Sequence, residues 1–234
     1  ASSVTLLTEV ITPQEHWDFE YYKRAIKEVG IHLSKYSKDT RFPVLPQSAV
    51  QTIRDVLNDD DIVTLDNGVY KIWFARNYKC VKPNTMLLDN ALATMGAGLP
   101  SGIAAKMVCP TKRVVAIVGD GGFMMNSQEL ETAVRLNLDL TVIILNDNSY
   151  GMIRWKQAGM GFEDFGLNLK NPDFVAYANS YGARGHRPNS CTEFKEILEL
   201  CVSSKGVHVI DLAVDYSLNH AILNELLKNI NCLV

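Results

Sequence analysis

The chain lacks any apolar run approaching membrane-spanning length, any C-x-x-C pair, any internal repeat or low-complexity tract, and any excess of basic residues. Each absence removes a class of protein. A transmembrane helix needs ~20 consecutive apolar residues, so no membrane partner is expected. Lys and Arg number 23 against 26 Asp and Glu, a formal net charge of −3, and no basic stripe offers a footprint for nucleic acid. The five cysteines, Cys80, Cys109, Cys191, Cys201 and Cys232, are odd in number and scattered, which reads as free thiols in a reducing compartment. His16, His32, His186, His208 and His220 are equally dispersed, and none is assigned a metal role. The first residues do not read as a signal peptide, so a cytoplasmic location is expected, with an organelle left open. A G-x-G-x-x-G after the first strand is also missing, which argues against a dinucleotide fold.

What is present is an ordinary globular composition, 47% hydrophobic over 234 residues, enough for one sizeable core. Residues 1–45 are polar and charged and end between Pro43 and Pro46; they read as a linker or the tail of a preceding domain. Within them, 16–37 suggests an irregular helix with Trp17, Tyr21 and Ile26 toward something apolar. Residues 46–234 read as one α/β domain. Gln47 and Ser48 are expected to cap a helix over 49–57, 61–65 is a strand, and 171–178 opens a helix at Asn171-Pro172-Asp173. Ser190 and Glu193 have capping-box spacing before a helix over 194–201, and 207–213 is a late strand.

The decisive segment is a strand, helix and strand. Arg113-Val114-Val115-Ala116-Ile117-Val118 is a β-branched apolar run that stops at Gly119-Asp120-Gly121-Gly122. Residues 123–136 place Met124, Leu130, Ala133, Val134 and Leu136 at helical spacing, which predicts one helix. Leu140-Thr141-Val142-Ile143-Ile144-Leu145 follows and ends in Asn146-Asp147-Asn148-Ser149-Tyr150-Gly151. If the two strands are neighbours in a parallel crossover, Asp120 and Asp147 stand at corresponding carboxyl ends, where open parallel sheets bind ligands. Magnesium takes carboxylate, carbonyl and phosphate oxygens, so these two acids with a carbonyl such as that of Ser149 suit a magnesium diphosphate. Gly121, Gly122 and Gly151 let a diphosphate approach the backbone closely. Either motif alone is a common turn; the pair at equivalent strand ends makes a site.

These residues resemble the diphosphate-binding domain of thiamine diphosphate enzymes, and most nearly the acetolactate synthases. The likeness extends through Leu88-Asp89-Asn90-Ala91-Leu92-Ala93-Thr94-Met95-Gly96-Ala97-Gly98-Leu99-Pro100 and Tyr150-Gly151-Met152-Ile153-Arg154-Trp155-Lys156-Gln157, from about Pro46 onward. The resemblance implies an open, mostly parallel sheet with helices on both faces, thiamine diphosphate and Mg2+ as cofactors, and Asp120, Asp147 and the Ser149 carbonyl as metal ligands. Many relatives carry asparagine where this chain has Asp147; the extra charge favours a bound divalent ion. Met95 is similar to the bulky residue over which the cofactor bends, the alternative being a methionine that fills a core gap. The resemblance further implies cofactor contacts from Gly68, Ala93, Gly119, Gly121, Gly122, Tyr150, Gly151 and Met152. In 65–73 the match is looser: only backbone and the Tyr70 hydroxyl are left to reach the diphosphate, unless Tyr70, Ile72 and Trp73 merely pack a helix. Lys156, four residues beyond Met152, would face a substrate carboxylate if it is not simply a solvated lysine.

Catalysis in this family also uses a glutamate on a separate pyrimidine-binding domain, so no catalytic residue is expected in this chain, which should be nearly inert alone. The implied reaction joins pyruvate, after loss of carbon dioxide, to a second 2-oxo acid to give 2-acetolactate, in branched-chain amino acid biosynthesis. The implied partner is the pyrimidine-binding domain of another subunit in a homodimer or homotetramer, and FAD would enter only through a missing middle domain. The alternatives are another thiamine diphosphate decarboxylase or carboligase for 2-oxo acids, and a noncatalytic module that holds a diphosphate ligand.

Overall fold

A computed structural model describes residues 2–12 and 14–225. The chain divides into two units, 1–35 and 36–234. The first holds helices α1 (Ser2–Val10) and α2 (Phe19–Ser34). No residue of α2 is buried, and Trp17, Tyr21 and Ile26 are exposed. The second unit begins upstream of the expected boundary at 46, for Val44 and Leu45 are buried in it and Val44 bridges to Val214.

This second unit runs α3 (Pro46–Val56), β1 (Ile62–Leu65), α4 (Val69–Asn77), β2 (Met86–Leu88), α5 (Gly98–Val108), β3 (Val114–Gly119), α6 (Asp120–Asn126), α7 (Glu129–Arg135), β4 (Leu140–Asn146), α8 (Gly151–Gly159), α9 (Phe174–Ser180), β5 (Arg184–His186), α10 (Cys191–Ser203) and β6 (Val207–Ala213). The six strands form one parallel sheet in the order β2-β1-β3-β4-β6-β5. Its central strands are buried on both faces, which is why they read as unbroken apolar runs. Alternate residues serve alternate faces. Ile143 and Leu145 join Ile117, Ile210 and Leu212 under α3, α4 and α10, whereas Val142 and Ile144 join Ala116, Val118 and Val209 under α5, α6, α7 and α9. Each of the Val, Leu and Ile side chains among them contributes about 1.5–3 kcal/mol by burial. The expected open parallel sheet with helices on both faces is therefore the fold.

Two local expectations need correction. The helix expected over 123–136 starts at Asp120 and is interrupted at Ser127-Gln128, where the hydrogen bonds Leu130 N to Ser127 O (3.1 Å) and Glu131 N to Gln128 O (3.0 Å) tighten the winding. Ser127 Oγ is held there by the Tyr177 hydroxyl at 2.8 Å, and Met124 and Leu136, expected inside, are exposed. The helix expected over 49–57 begins at Pro46, the residue type best suited to a first turn, and the Ser48 hydroxyl donates to Asp39 O instead of capping. Two caps that the sequence located are real, Asp173 accepting from Val175 N and Ala176 N and Ser190 from Glu193 N, whereas the cap of α2, Asp18 accepting from Glu20 N, was not foreseen.

The order of the strands positions the site. After β1 the chain turns into α4 on one face, and after β3 into α6 on the other, so the carboxyl ends of these neighbours diverge and leave a crevice.

Candidate functional site

The crevice is a cavity of about 380 Å³ at the carboxyl ends of β1, β3 and β4. Gly119 of β3 lies in register with Leu145 of β4, which brings Asp120 and Asp147 to the same mouth. All twelve residues expected to touch a cofactor line it, from Gly68 and Met95 to Gly151 and Met152. Lys156 does not. Met152 sits in the first turn of α8, and four residues on the helix has risen ~6 Å from the cavity. Lys156 lies over the Trp155 ring at 4.8 Å and borders a separate groove with Gly159, Met160 and Asn224.

The electrostatics of the mouth are those of anions held out of water. Burial raises the Asp120 carboxyl above its usual range, partly offset by Asn171 Nδ2 on Oδ2 (2.7 Å) and Gly121 N on Oδ1 (2.9 Å). Asp147 is pushed up to about 7, first by burial and then by the neighbouring charge of Asp120, with Arg154 offsetting part of this. A divalent cation between the two acids reverses the sign of that repulsion. Three hydroxyls at the same cavity, Ser149 Oγ, Tyr70 Oη and Tyr216 Oη, are buried with no hydrogen-bond partner among the described residues. Hard oxygen donors around two carboxylates, with orphaned hydroxyls beside them, fit a magnesium diphosphate.

The glycines also have a local cause beside the one expected. The Gly121 amide is already engaged by Asp120, and a Cβ on Gly121 would meet Tyr150 Cε1 at 2.9 Å. A Cβ on Gly122 would run into the carboxylate of Asp66, and one on Gly151 would meet Asp147 Oδ2 at 2.8 Å. These positions are small because side chains of the site itself pack on them.

Sequence reasoning missed five residues. Asp66, at the end of β1, is fully buried and accepts from Asn67 N (2.7 Å), Gly96 N (2.9 Å) and Ala97 N (3.2 Å), which ties down the loop carrying Met95. Asn67 Nδ2 and Asn126 Nδ2 hold the same loop at Thr94 O and Gly96 O, both at 2.8 Å. An acid closing a buried strand was the available signal. Asn171, read only as a helix opener, gathers Asp120 Oδ2, Asn146 Oδ1 (3.1 Å) and Asn148 Oδ1 (3.2 Å) around one amide. Tyr216 arrives from just beyond β6, and no local pattern announces it.

Comparison with known proteins agrees with this geometry. Residues 66–212 match the family model described as thiamine pyrophosphate enzyme, C-terminal TPP binding domain. An acetolactate synthase of Bacillus subtilis is 36% identical over 174 residues, covering 74% of this chain and 30% of that protein. A probable acetolactate synthase large subunit of Methanocaldococcus jannaschii is 33% identical over 218 residues, covering 90% and 36%. Among solved structures, the thiamine diphosphate-dependent 4-hydroxybenzoylformate decarboxylase of Rhodococcus jostii superposes with a TM-score of 0.70 at 22% identity, over 74% of this chain and 33% of that one, a likeness of fold. The chain thus spans about a third of the length of the relatives it matches. Among the described residues no helix is long and apolar enough to cross a membrane.

Proposed function

The chain belongs to the thiamine pyrophosphate enzyme family as its C-terminal cofactor-binding domain, and from that premise we propose that it is the diphosphate-binding part of an acetolactate synthase-like enzyme. The observation that carries this reading is the convergence of Asp120 and Asp147 from adjacent parallel strands onto one cavity. In this role Asp120, Asp147 and the Ser149 carbonyl would hold Mg2+, which would supply positive charge for a diphosphate. Ser149 Oγ and the Tyr70 hydroxyl find there the partners they otherwise lack. Gly68, Gly119, Gly121, Gly122, Tyr150 and Gly151 shape the walls. Met95, half-buried on a loop pinned by Asp66, gives the cofactor a fixed apolar edge to bend over, and Met152 closes the far side.

Bound thiamine diphosphate supplies the carbon that attacks a 2-oxo acid and accepts the electrons released with carbon dioxide. This chain's own contribution is orientation and charge: the acids fix the metal, the Asp66 loop fixes Met95, and the apolar walls keep water from the reacting groups. The glutamate that activates the cofactor in this family belongs to a pyrimidine-binding domain, supplied by a partner subunit in a dimer or tetramer. FAD, if used, belongs to a middle domain. Residues 1–35, with Trp17, Tyr21 and Ile26 exposed, are the approach from such a domain. Pyruvate is the proposed donor, and a second 2-oxo acid the acceptor.

The test is the full-length protein with pyruvate, thiamine diphosphate and Mg2+, with acetolactate measured through its acid conversion to acetoin. Acetolactate that disappears in Asp120→Ala supports the assignment. Cofactor binding with pyruvate untouched removes the synthase reading and leaves another 2-oxo acid enzyme; cofactor binding with no turnover of any 2-oxo acid leaves a noncatalytic module.

A further inference from the structure

Three dispersed residues, to which the sequence assigns no metal role, are brought together at the edge of the sheet, far along the chain from the Asp120 loop. Edge strand β5 pairs with β6 so that His186 faces Ile210 and Arg184 faces His208. Alternation then places His186 and His208 on the face that packs α10, where Cys201 is buried beside Ile210. One ligand atom from each of His186, Cys201 and His208 lies within 4.8 Å of the others, and His186 Nε2 is 3.1 Å from His208 Nδ1. We propose that these three side chains form a binding site for a zinc-type divalent ion, completed by a solvent molecule.

The chemistry of the set is specific. Two imidazoles and a thiol are borderline-soft donors, which suit zinc and its analogues and not magnesium. Tetrahedral zinc, with Zn–N of about 2.0–2.1 Å and Zn–S of about 2.3 Å, requires donor atoms roughly 3.3–3.6 Å apart, so the cluster needs only small side-chain rotations. The second nitrogen of His208 is already engaged: Nε2 stands 3.3 Å from the Lys205 carbonyl, the arrangement that fixes a ligating histidine by letting its other N–H donate to backbone. Arg184 Nη1 donates to that same carbonyl at 2.7 Å and stands 3.3 Å from Nε2; an ion on Nδ1 selects the tautomer in which Nε2–H points to the Lys205 carbonyl. Burial and the Arg184 charge hold both imidazoles below their usual pKa, in the neutral form that ligates. Burial pushes the Cys201 thiol up to about 12, so it carries its proton until an ion arrives. On binding, the Sγ–H bond is exchanged for an Sγ–metal bond and the proton leaves to solvent. Arg184 favours the resulting thiolate. Such a site would clamp the edge strand to β6 and α10.

The experiment is a Co2+ titration of the purified, metal-stripped protein, followed by the near-ultraviolet thiolate-to-cobalt charge-transfer band. The oxygen-only site at Asp120 and Asp147 cannot give this band. The expected result is a band saturating at one ion per chain, abolished by Zn2+ competition, lost in Cys201→Ser and weakened at least tenfold in His186→Ala. His186 is half-buried on an edge strand, so its variant should fold even if Cys201→Ser does not. Zn2+ should also raise the melting temperature of wild type and leave that of His186→Ala unmoved. No band in folded wild-type protein, or a band that survives in both variants, would overturn the proposal and leave an ordinary His186–His208 hydrogen bond beside a buried thiol.

Discussion

Asp66 and Asp120 close neighbouring parallel strands, both are buried, and burial raises both carboxyl groups above their usual range. Yet they do different work. Asp66 is surrounded by the amides of Asn67, Gly96 and Ala97 and acts as an anchor for a loop. Asp120 accepts from the Gly121 amide and Asn171, has the amides of Asn148 and Ser149 beside it, and faces a second acid, Asp147, at a cavity. Backbone donors serve both groups; the second acid at the cavity is what leaves negative charge uncompensated at Asp120 and marks it as the binding site.

The contrast is broken most severely at Asp120. Asp120→Ala should weaken Mg2+-dependent thiamine diphosphate binding by a hundredfold or more and leave the melting temperature of the metal-free protein unchanged or higher, as calorimetry of both would show. Asp66→Ala should do the reverse. It strands three amide donors and costs roughly 3 kcal/mol, a fall in Tm of about 6–12 °C for a domain of this size. Metal affinity in the remaining folded protein should change little. A smaller effect is expected where the two acids' elements touch: Gly122→Ala forces a methyl group against the Asp66 carboxylate, for a loss of about 1–3 kcal/mol in denaturant unfolding.

The subtlest prediction concerns pH. In the metal-free fold Asp147 titrates at about 7, above the 3.8 of an unperturbed aspartate. The folded state thus holds the proton more tightly, and its contribution to stability is full below pH 3.8 and lost as pH rises through 7. Asp147→Asn removes that titration. The variant should melt a few degrees above wild type at pH 8, match it near pH 4, and lose its advantage when Mg2+ is added. Equal melting curves at pH 8 would show that Asp147 ionises freely and carries no strain.

Much of this site is readable from sequence because its key parts are local. Strand β3, the Gly119-Asp120 junction, β4 and the loop through Gly151 form one continuous segment, and the β-branched runs that stop at turn residues declare both their class and their neighbours. The helix caps at Asp173 and Ser190 are likewise set within a few residues. The break at Ser127 was not readable, since Tyr177, 50 residues away, holds it. Nor was the grip of Asp66 on Gly96, the gathering of asparagines by Asn171, or the meeting of His186, Cys201 and His208, all of which depend on strand order and register. The exposure of Lys156 follows from the direction in which α8 leaves the sheet, which spacing along a helix cannot supply.

The most direct test of the central claim is isothermal titration of the full-length protein with thiamine diphosphate, with and without Mg2+, for wild type, Asp120→Ala and Asp66→Asn. Binding that requires Mg2+, vanishes in Asp120→Ala and persists in folded Asp66→Asn is the predicted result. Metal-independent binding, or binding that survives Asp120→Ala, would contradict the account and place the diphosphate elsewhere.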